Sequence, residues 1–191
     1  MHVGFWIALG VARAILGGSM RGVDGTSTKA PVSHEARTGR YSRFVLAFHI
    51  AAFGVMYLGM ANAVLPNRVP SLFAGQRVVG TIVMAAGAAL IIAAFAHFQS
   101  WRFRAKIDRG HQLATTGPFH VLRHPIYAGL DLLALGTAIW APTTILWLAF
   151  VLMAIGSDLR ARVEETLLQQ TFGSVYERYR RRTRRFVPGI Y

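Results

Sequence analysis

The sequence predicts an all-α integral membrane protein of about five transmembrane helices, or four if the first segment only lies in the interface. The last two form a tight hairpin, followed by a cytoplasmic amphipathic helix. Three observations predict this. Of the 191 residues, 53% are hydrophobic and only 15% charged, and the mean hydropathy is +0.39, low in charge for a soluble domain of this length. The polar residues collect in blocks between long apolar runs, as a bilayer requires. The basic residues, finally, alternate between dense and sparse blocks.

A span needs roughly 20 mostly apolar residues, because the hydrocarbon core is about 30 Å thick and a helix rises about 1.5 Å per residue. Val3–Met20 is the first such segment, short and interrupted by Arg13. It does not read as a signal peptide, since Met1-His2-Val3 supplies no basic region and no small-x-small cleavage site follows. Phe44–Leu65 is the second segment, stopped by Pro66, and Val78–Phe98 is the third. In the third, Ala85, Ala89 and Ala93 recur at four-residue spacing with Gly80 and Gly87 nearby. That pattern suits either a close helix–helix contact or a generic alanine-rich span. Ile126–Trp140 and Thr143–Ser157 are the fourth and fifth, separated by Ala141-Pro142, and each is short enough to need tilted or interfacial ends.

Of 21 Lys and Arg residues, 18 lie in the first loop, the third loop and the C-terminal tail, against 2 in the second loop. Basic residues favour the cytoplasmic side, so these three segments are expected there. The same rule accounts for the net charge of +13, and nucleic acid is not expected as a partner. The first loop, 21–43, is rich in Gly, Ser and Thr and is expected to be mobile. In the tail, Leu159, Val163, Leu167 and Leu168 recur at helical spacing, so the fifth span continues as an amphipathic helix until Gly173 breaks it. Tyr176 and Tyr179, set among arginines, suit the membrane interface. The chain thus divides into N-terminal membrane helices over 1–98 and a region over 99–191 with the third loop, the helical hairpin and the C-terminal helix, where any catalytic site is expected.

The third loop and the start of the tail flank the hairpin on one side of the membrane and so are neighbours in space. The loop runs from Gly110 through Gln112, Leu113, Thr115 and Gly117 to Arg123-His124-Pro125-Ile126-Tyr127. Pro125 holds His124 extended and can open a helix, placing His124 where free backbone N–H groups favour an anion. The same residues also suit a plain boundary, with Arg and His at the headgroups and Tyr in the aromatic belt. In the tail, Arg160 and Glu164 are four apart and can form an exposed ion pair worth about 0.2–0.5 kcal/mol. Glu164-Glu165, adjacent carboxylates in a chain with only 8 acids, also suit ribose hydroxyls, an ammonium or a sulfonium. With no cysteine, disulfides, thiolate metal sites and cysteine nucleophiles are excluded. His111, His120 and His124 lack zinc-motif spacing, so no metal is expected. Neither a dinucleotide fingerprint nor a P-loop is present. Asp131, one turn into the fourth span, is a functional candidate because burying an acid costs about 2.5–3.5 kcal/mol on insertion scales; it either contacts an amine substrate or pairs with Arg13.

Leu113-Ala114-Thr115-Thr116-Gly117-Pro118-Phe119, Arg123-His124-Pro125-Ile126-Tyr127-Ala128-Gly129, a short hairpin, Glu164-Glu165, Phe172-Gly173 and Tyr176-Glu177-Arg178-Tyr179 stand in that order. Over residues 99–188 the chain resembles the isoprenylcysteine carboxyl methyltransferases, which are related to phospholipid N-methyltransferases. The resemblance implies a membrane methyltransferase using S-adenosylmethionine at the cytoplasmic face. It implies that Gln112, Leu113, Thr115, Gly117, His124, Pro125, Tyr127, Glu164 and Glu165 hold the cofactor. Arg160, with Glu164, would act on the acceptor, a prenylcysteine-like carboxylate or a lipid amine. Methyl transfer from a sulfonium is an in-line displacement in which positioning and electrostatics do most of the work. A carboxylate acceptor needs no general base, only a cation such as Arg160 to hold it. The chain also resembles the C-terminal region of NADPH-dependent sterol reductases, through the Arg123-His124-x-x-Tyr127 element and the ending Phe186-Val187-Pro188-Gly189-Ile190-Tyr191. A third alternative is a non-catalytic scaffold whose arginine tail binds anionic lipid.

Overall fold

The computed structural model describes residues 35–64, 69, 71–97 and 113–191. They form five α-helices: α1 (Glu35–Val64), α2 (Gln76–His97), α3 (Pro125–Trp140), α4 (Thr144–Phe172) and α5 (Ser174–Arg182), with one 3₁₀ turn at Gly117–His120. There is no β-sheet among the described residues, only an isolated parallel bridge between Leu122 and Arg184. Three helical stretches are long and apolar enough to cross a membrane, Tyr41–Ala63, Gln76–His97 and Thr144–Phe172, and Pro125–Trp140 is a shorter apolar helix. The 16 residues of α3 span about 24 Å, less than the hydrocarbon core. The 29 residues of α4 span about 43 Å and outrun it. The apolar first half of α4 ends at Ser157, and the charged half from Asp158 onward projects beyond.

The segment Val3–Met20 and residues 98–112 lie outside the described residues. The expectation of a mobile loop over 21–43 fails for its last part, since α1 already begins at Glu35.

Local chemistry sets the helix ends. The Gln76 side chain reaches back to accept from the Leu72 N–H at 2.6 Å, and Gly75 supplies the turn with φ 81°, together starting α2. Pro125 stands in the first turn of α3, where its missing N–H costs nothing. Thr143 is the N-cap of α4, its side chain accepting from Leu146 N. Gly173, at φ 51°, ends α4 and hands the chain to α5.

Packing pairs α2 with α3, α1 with α4, and α3 with α4. The α2–α3 contact is a glycine zipper. A Cβ on Gly80 would lie 2.7 Å from the Gly136 carbonyl oxygen, and one on Gly87 2.6 Å from that of Gly129. Each helix therefore offers two glycines seven residues apart to the other backbone, in antiparallel register. Of the small residues singled out in this span, Gly80 and Gly87 make the close contact while Ala85 and Ala89 are exposed, and the buried face of α2 is Gln76, Gly80, Gly87, Ile91 and Ala94. At the far end of the hairpin from the charged cluster, the Arg77 guanidinium lies 5.3 Å from the Trp140 ring centroid.

Candidate active site

The site begins where the tail is tied down beside α3. After α5 the chain runs extended and pairs with the stretch before Pro125. Arg184 N donates to Val121 O at 3.0 Å, Arg123 N to Arg184 O at 2.7 Å, and His124 N to Arg185 O at 3.2 Å. This short ladder fixes Arg123, His124 and Arg185 next to one another, at the level where α4 emerges from its apolar half.

Two carboxylates organise the cluster. Glu165, with a side chain 9% exposed, accepts from Arg123 Nε at 2.9 Å and from Arg185 Nε at 3.1 Å and Nη2 at 2.8 Å. Arg123 is itself held by the Thr183 carbonyl at 2.6 Å and the Arg180 carbonyl at 3.1 Å. Glu164 accepts from the Tyr127 hydroxyl at 2.5 Å and lies 3.4 Å from Arg160 Nε, which also donates to the Tyr127 oxygen at 3.2 Å. His124, 5% exposed, stands between the two acids. Its Nδ1 lies 3.6 Å from Glu164 and its Nε2 3.4 Å from Glu165. The second contact is ionic and not an aligned hydrogen bond, so Nε2 is a buried polar atom without a hydrogen-bond partner.

These neighbours set the charges. Burial alone disfavours imidazolium at His124, but Glu164 and Glu165 outweigh it and raise the pKa above 6.5. Burial also opposes the charge on Glu165, yet His124, Arg185 and Arg123 hold its carboxyl well below the usual carboxylate range. A second layer braces Arg185, which donates to Asp158 at 2.9 Å and to the Tyr191 hydroxyl at 2.6 Å.

The expected site residues do not all meet. His124, Tyr127, Arg160, Glu164 and Glu165 come together, with Pro125 at the helix start beneath them. Leu113 and Thr115 lie elsewhere, on an open groove of about 490 Å³ with His120, Val175, Arg178, Tyr179, Arg182 and Thr183. The groove adjoins the cluster through Thr183, whose carbonyl holds Arg123. Gly117, at φ 59°, is backed by the His97 ring, against which any Cβ would collide. Gln112 lies outside the described residues. Asp131 accepts from Ser157 Oγ at 2.8 Å, a partner on α4, while Arg13 is outside the described residues.

Tyr176 corrects an expectation. It is fully buried rather than interfacial, and Tyr179 turns inward to donate to the Phe119 carbonyl at 2.8 Å. Three contributors escaped the sequence. Arg123 stands in the Arg123-His124-Pro125-Ile126-Tyr127 motif, but nothing in the motif announces its bond to Glu165. Arg185 is placed by the backbone ladder, which no spacing announces. His49 comes from α1, its ring 6.0 Å from that of Tyr127, where the sequence showed only an apolar span.

Fold and site together define an all-helical membrane protein whose charged centre joins the N-terminus of a short helix to the projecting half of a long one. The phospholipid methyltransferase family profile matches residues 76–175, more than half of the 191 residues, and the chain belongs to that family. Among curated proteins it is similar to the protein-S-isoprenylcysteine O-methyltransferase of Schizosaccharomyces pombe, at 35% identity over 88 residues, covering 45% of this chain and 37% of that protein. It is also similar to the probable protein-S-isoprenylcysteine O-methyltransferase of Oryza sativa subsp. indica, at 32% identity over 88 residues and 46% of each chain. The matched segment spans less than half the length of either relative.

Proposed function

We propose that this chain is a membrane methyltransferase that uses S-adenosylmethionine to methylate a lipophilic acceptor at the cytoplasmic face, with the carboxylate of a prenylcysteine-like molecule favoured over a lipid amine. The catalytic region is 99–191. The observation that carries this reading is the meeting of Tyr127 and His124 with Glu164 and Glu165, two segments 37 or more residues apart that form one charged centre beside an open groove.

The residues fit such a donor. An open groove bordered by Leu113 and Thr115 adjoins the cluster through Thr183. Glu164 is 29% exposed, so one carboxylate of the pair keeps an open side that can face a cation or a ribose. His124 Nε2 lies 3.4 Å from Glu165 without an aligned hydrogen bond. When bound, the sulfonium supplies an already activated methyl group. The protein's own task is orientation: Tyr127 and His124 hold Glu164 in place, and Arg160 supplies the charge that steers an anionic acceptor for in-line attack. The acceptor's apolar part stays in the bilayer, reached along the apolar half of α4.

Incubation with radiolabelled S-adenosylmethionine and candidate lipids tests this reading. A base-labile labelled lipid is expected, since esters are cleaved by base and N-methyl amines are not. A base-stable product would move the acceptor to the amine class, and no labelled product from any lipid would remove the methyltransferase reading.

A further inference from the structure

Beside the charged cluster, a histidine from α1 is buried in the helical bundle. His49 lies on α1, about 12 Å along the axis from Tyr41, where that helix becomes apolar. It is 5% exposed, and its Nε2 is buried without a hydrogen-bond partner. An unsatisfied buried polar atom is destabilising, and leucine in its place would avoid that. The ring is held firmly. It stacks on Phe53 at 5.5 Å between centroids and 15° between planes, and it rests against α4 at Gly156, where a Cβ would lie 3.3 Å from the ring. On its third side stands Tyr127, 6.0 Å away between centroids, whose hydroxyl is shared by Glu164 and Arg160.

The imidazole is therefore fixed by packing from α1 and α4, with its ring beside that of Tyr127. We infer that His49, with Tyr127 and Arg160, forms the subsite for the anionic head of the lipophilic acceptor, and that His49 Nε2 makes a hydrogen bond to it. The inference rests on the methyltransferase reading and deepens it. The cluster's carboxylates repel an anion, whereas Arg160 and a neutral imidazole N–H attract one. A head drawn in from the bilayer would meet His49 before it reached Glu164. The subsite is a specificity device: the bond is made equally before and during transfer, so it governs acceptor binding and leaves the chemical step alone.

The test uses the full chain in lipid nanodiscs, with N-acetyl-S-farnesylcysteine as acceptor and S-adenosylhomocysteine as cofactor probe. His49→Leu is expected to raise the acceptor KM tenfold or more. Its kcat and the Kd for S-adenosylhomocysteine should stay within twofold of wild type. His49→Gln, whose amide nitrogen sits near the position of Nε2, should recover most of the acceptor affinity. An unchanged acceptor KM in His49→Leu, or a Kd for S-adenosylhomocysteine that rises in step with it, would overturn the inference while leaving the methyltransferase standing. If wild type binds S-adenosylhomocysteine but methylates no farnesylcysteine, the anionic subsite falls together with the carboxylate acceptor. Should His49→Leu fail to fold, the imidazole ¹⁵N resonance missing from His49→Gln identifies His49 in wild type. It should move on adding farnesylcysteine and not on adding S-adenosylhomocysteine alone, and a resonance indifferent to farnesylcysteine contradicts the proposal.

Discussion

The Tyr127 hydroxyl donates to Glu164 Oε1 at 2.5 Å, tying the first turn of α3 to α4 seven residues past Ser157. Tyr127→Phe keeps the ring and removes only this bond and the one from Arg160. Hydrogen bonds to charged groups contribute about 1.5–3 kcal/mol, so S-adenosylhomocysteine affinity is expected to fall about 10- to 100-fold. Calorimetric titration checks this, with circular dichroism showing an unchanged helix content.

Glu164 and Glu165 should separate in their effect on stability. Glu165 neutralises two arginines in a largely buried setting, and breaking such a pair from one side costs about 3 kcal/mol or more. Glu165→Gln is therefore expected to lower the thermal midpoint in detergent clearly. Glu164→Gln, at a carboxylate 29% exposed, should leave the midpoint within a few degrees while reducing methyl transfer at least tenfold. Equal midpoints for the two variants would show that Glu165 is not the structural member of the pair.

His124 predicts a pH dependence. Its pKa in the folded chain is raised above 6.5 by Glu164 and Glu165. The stability it contributes is therefore fully present below about 6.5, and it is lost as pH rises through the higher folded value. The thermal midpoint of wild type should fall relative to His124→Asn as pH is raised above about 6.5, since this contribution is absent from the variant. Parallel curves for the two proteins would mean that the imidazole is uncharged between the acids.

The glycine zipper makes a contrast inside the bilayer. Gly87→Ala forces a methyl against the Gly129 carbonyl, and overpacking of this kind costs about 1–3 kcal/mol. Ala85→Leu, on an exposed face of the same helix, should cost less than about 0.5 kcal/mol. Unfolding in mixed detergent–denaturant series would rank them, and a larger effect for Ala85→Leu would place the α2 interface on the alanine stripe instead.

The spans were legible because a bilayer imposes one simple rule on composition, and Val78–Phe98 and Ile126–Trp140 each fall within two residues of the helices observed. The start of α1 was not, because Glu35 to Arg43 is polar and helix there has no apolar periodicity to announce it. The cluster was partly legible. His124, Tyr127, Glu164 and Glu165 sit on two segments whose common side of the membrane follows from the charge pattern. What remained hidden depends on tertiary position. Arg185 reaches Glu165 only through the backbone pairing at Leu122 and Arg184, and His49 enters from a helix chosen by packing. The alanine spacing left two readings open because small residues can face lipid as readily as a neighbour, and it is Gly80 and Gly87 that oppose backbone.

The central claim is that the start of α3 and the projecting half of α4 together hold one nucleoside-bearing methyl donor. Calorimetry of the purified chain with S-adenosylhomocysteine and with NADPH tests it most directly. The account predicts saturable one-to-one binding of S-adenosylhomocysteine, lost when Tyr127 and Glu164 are both replaced, and no heat from NADPH; binding of NADPH alone would contradict it.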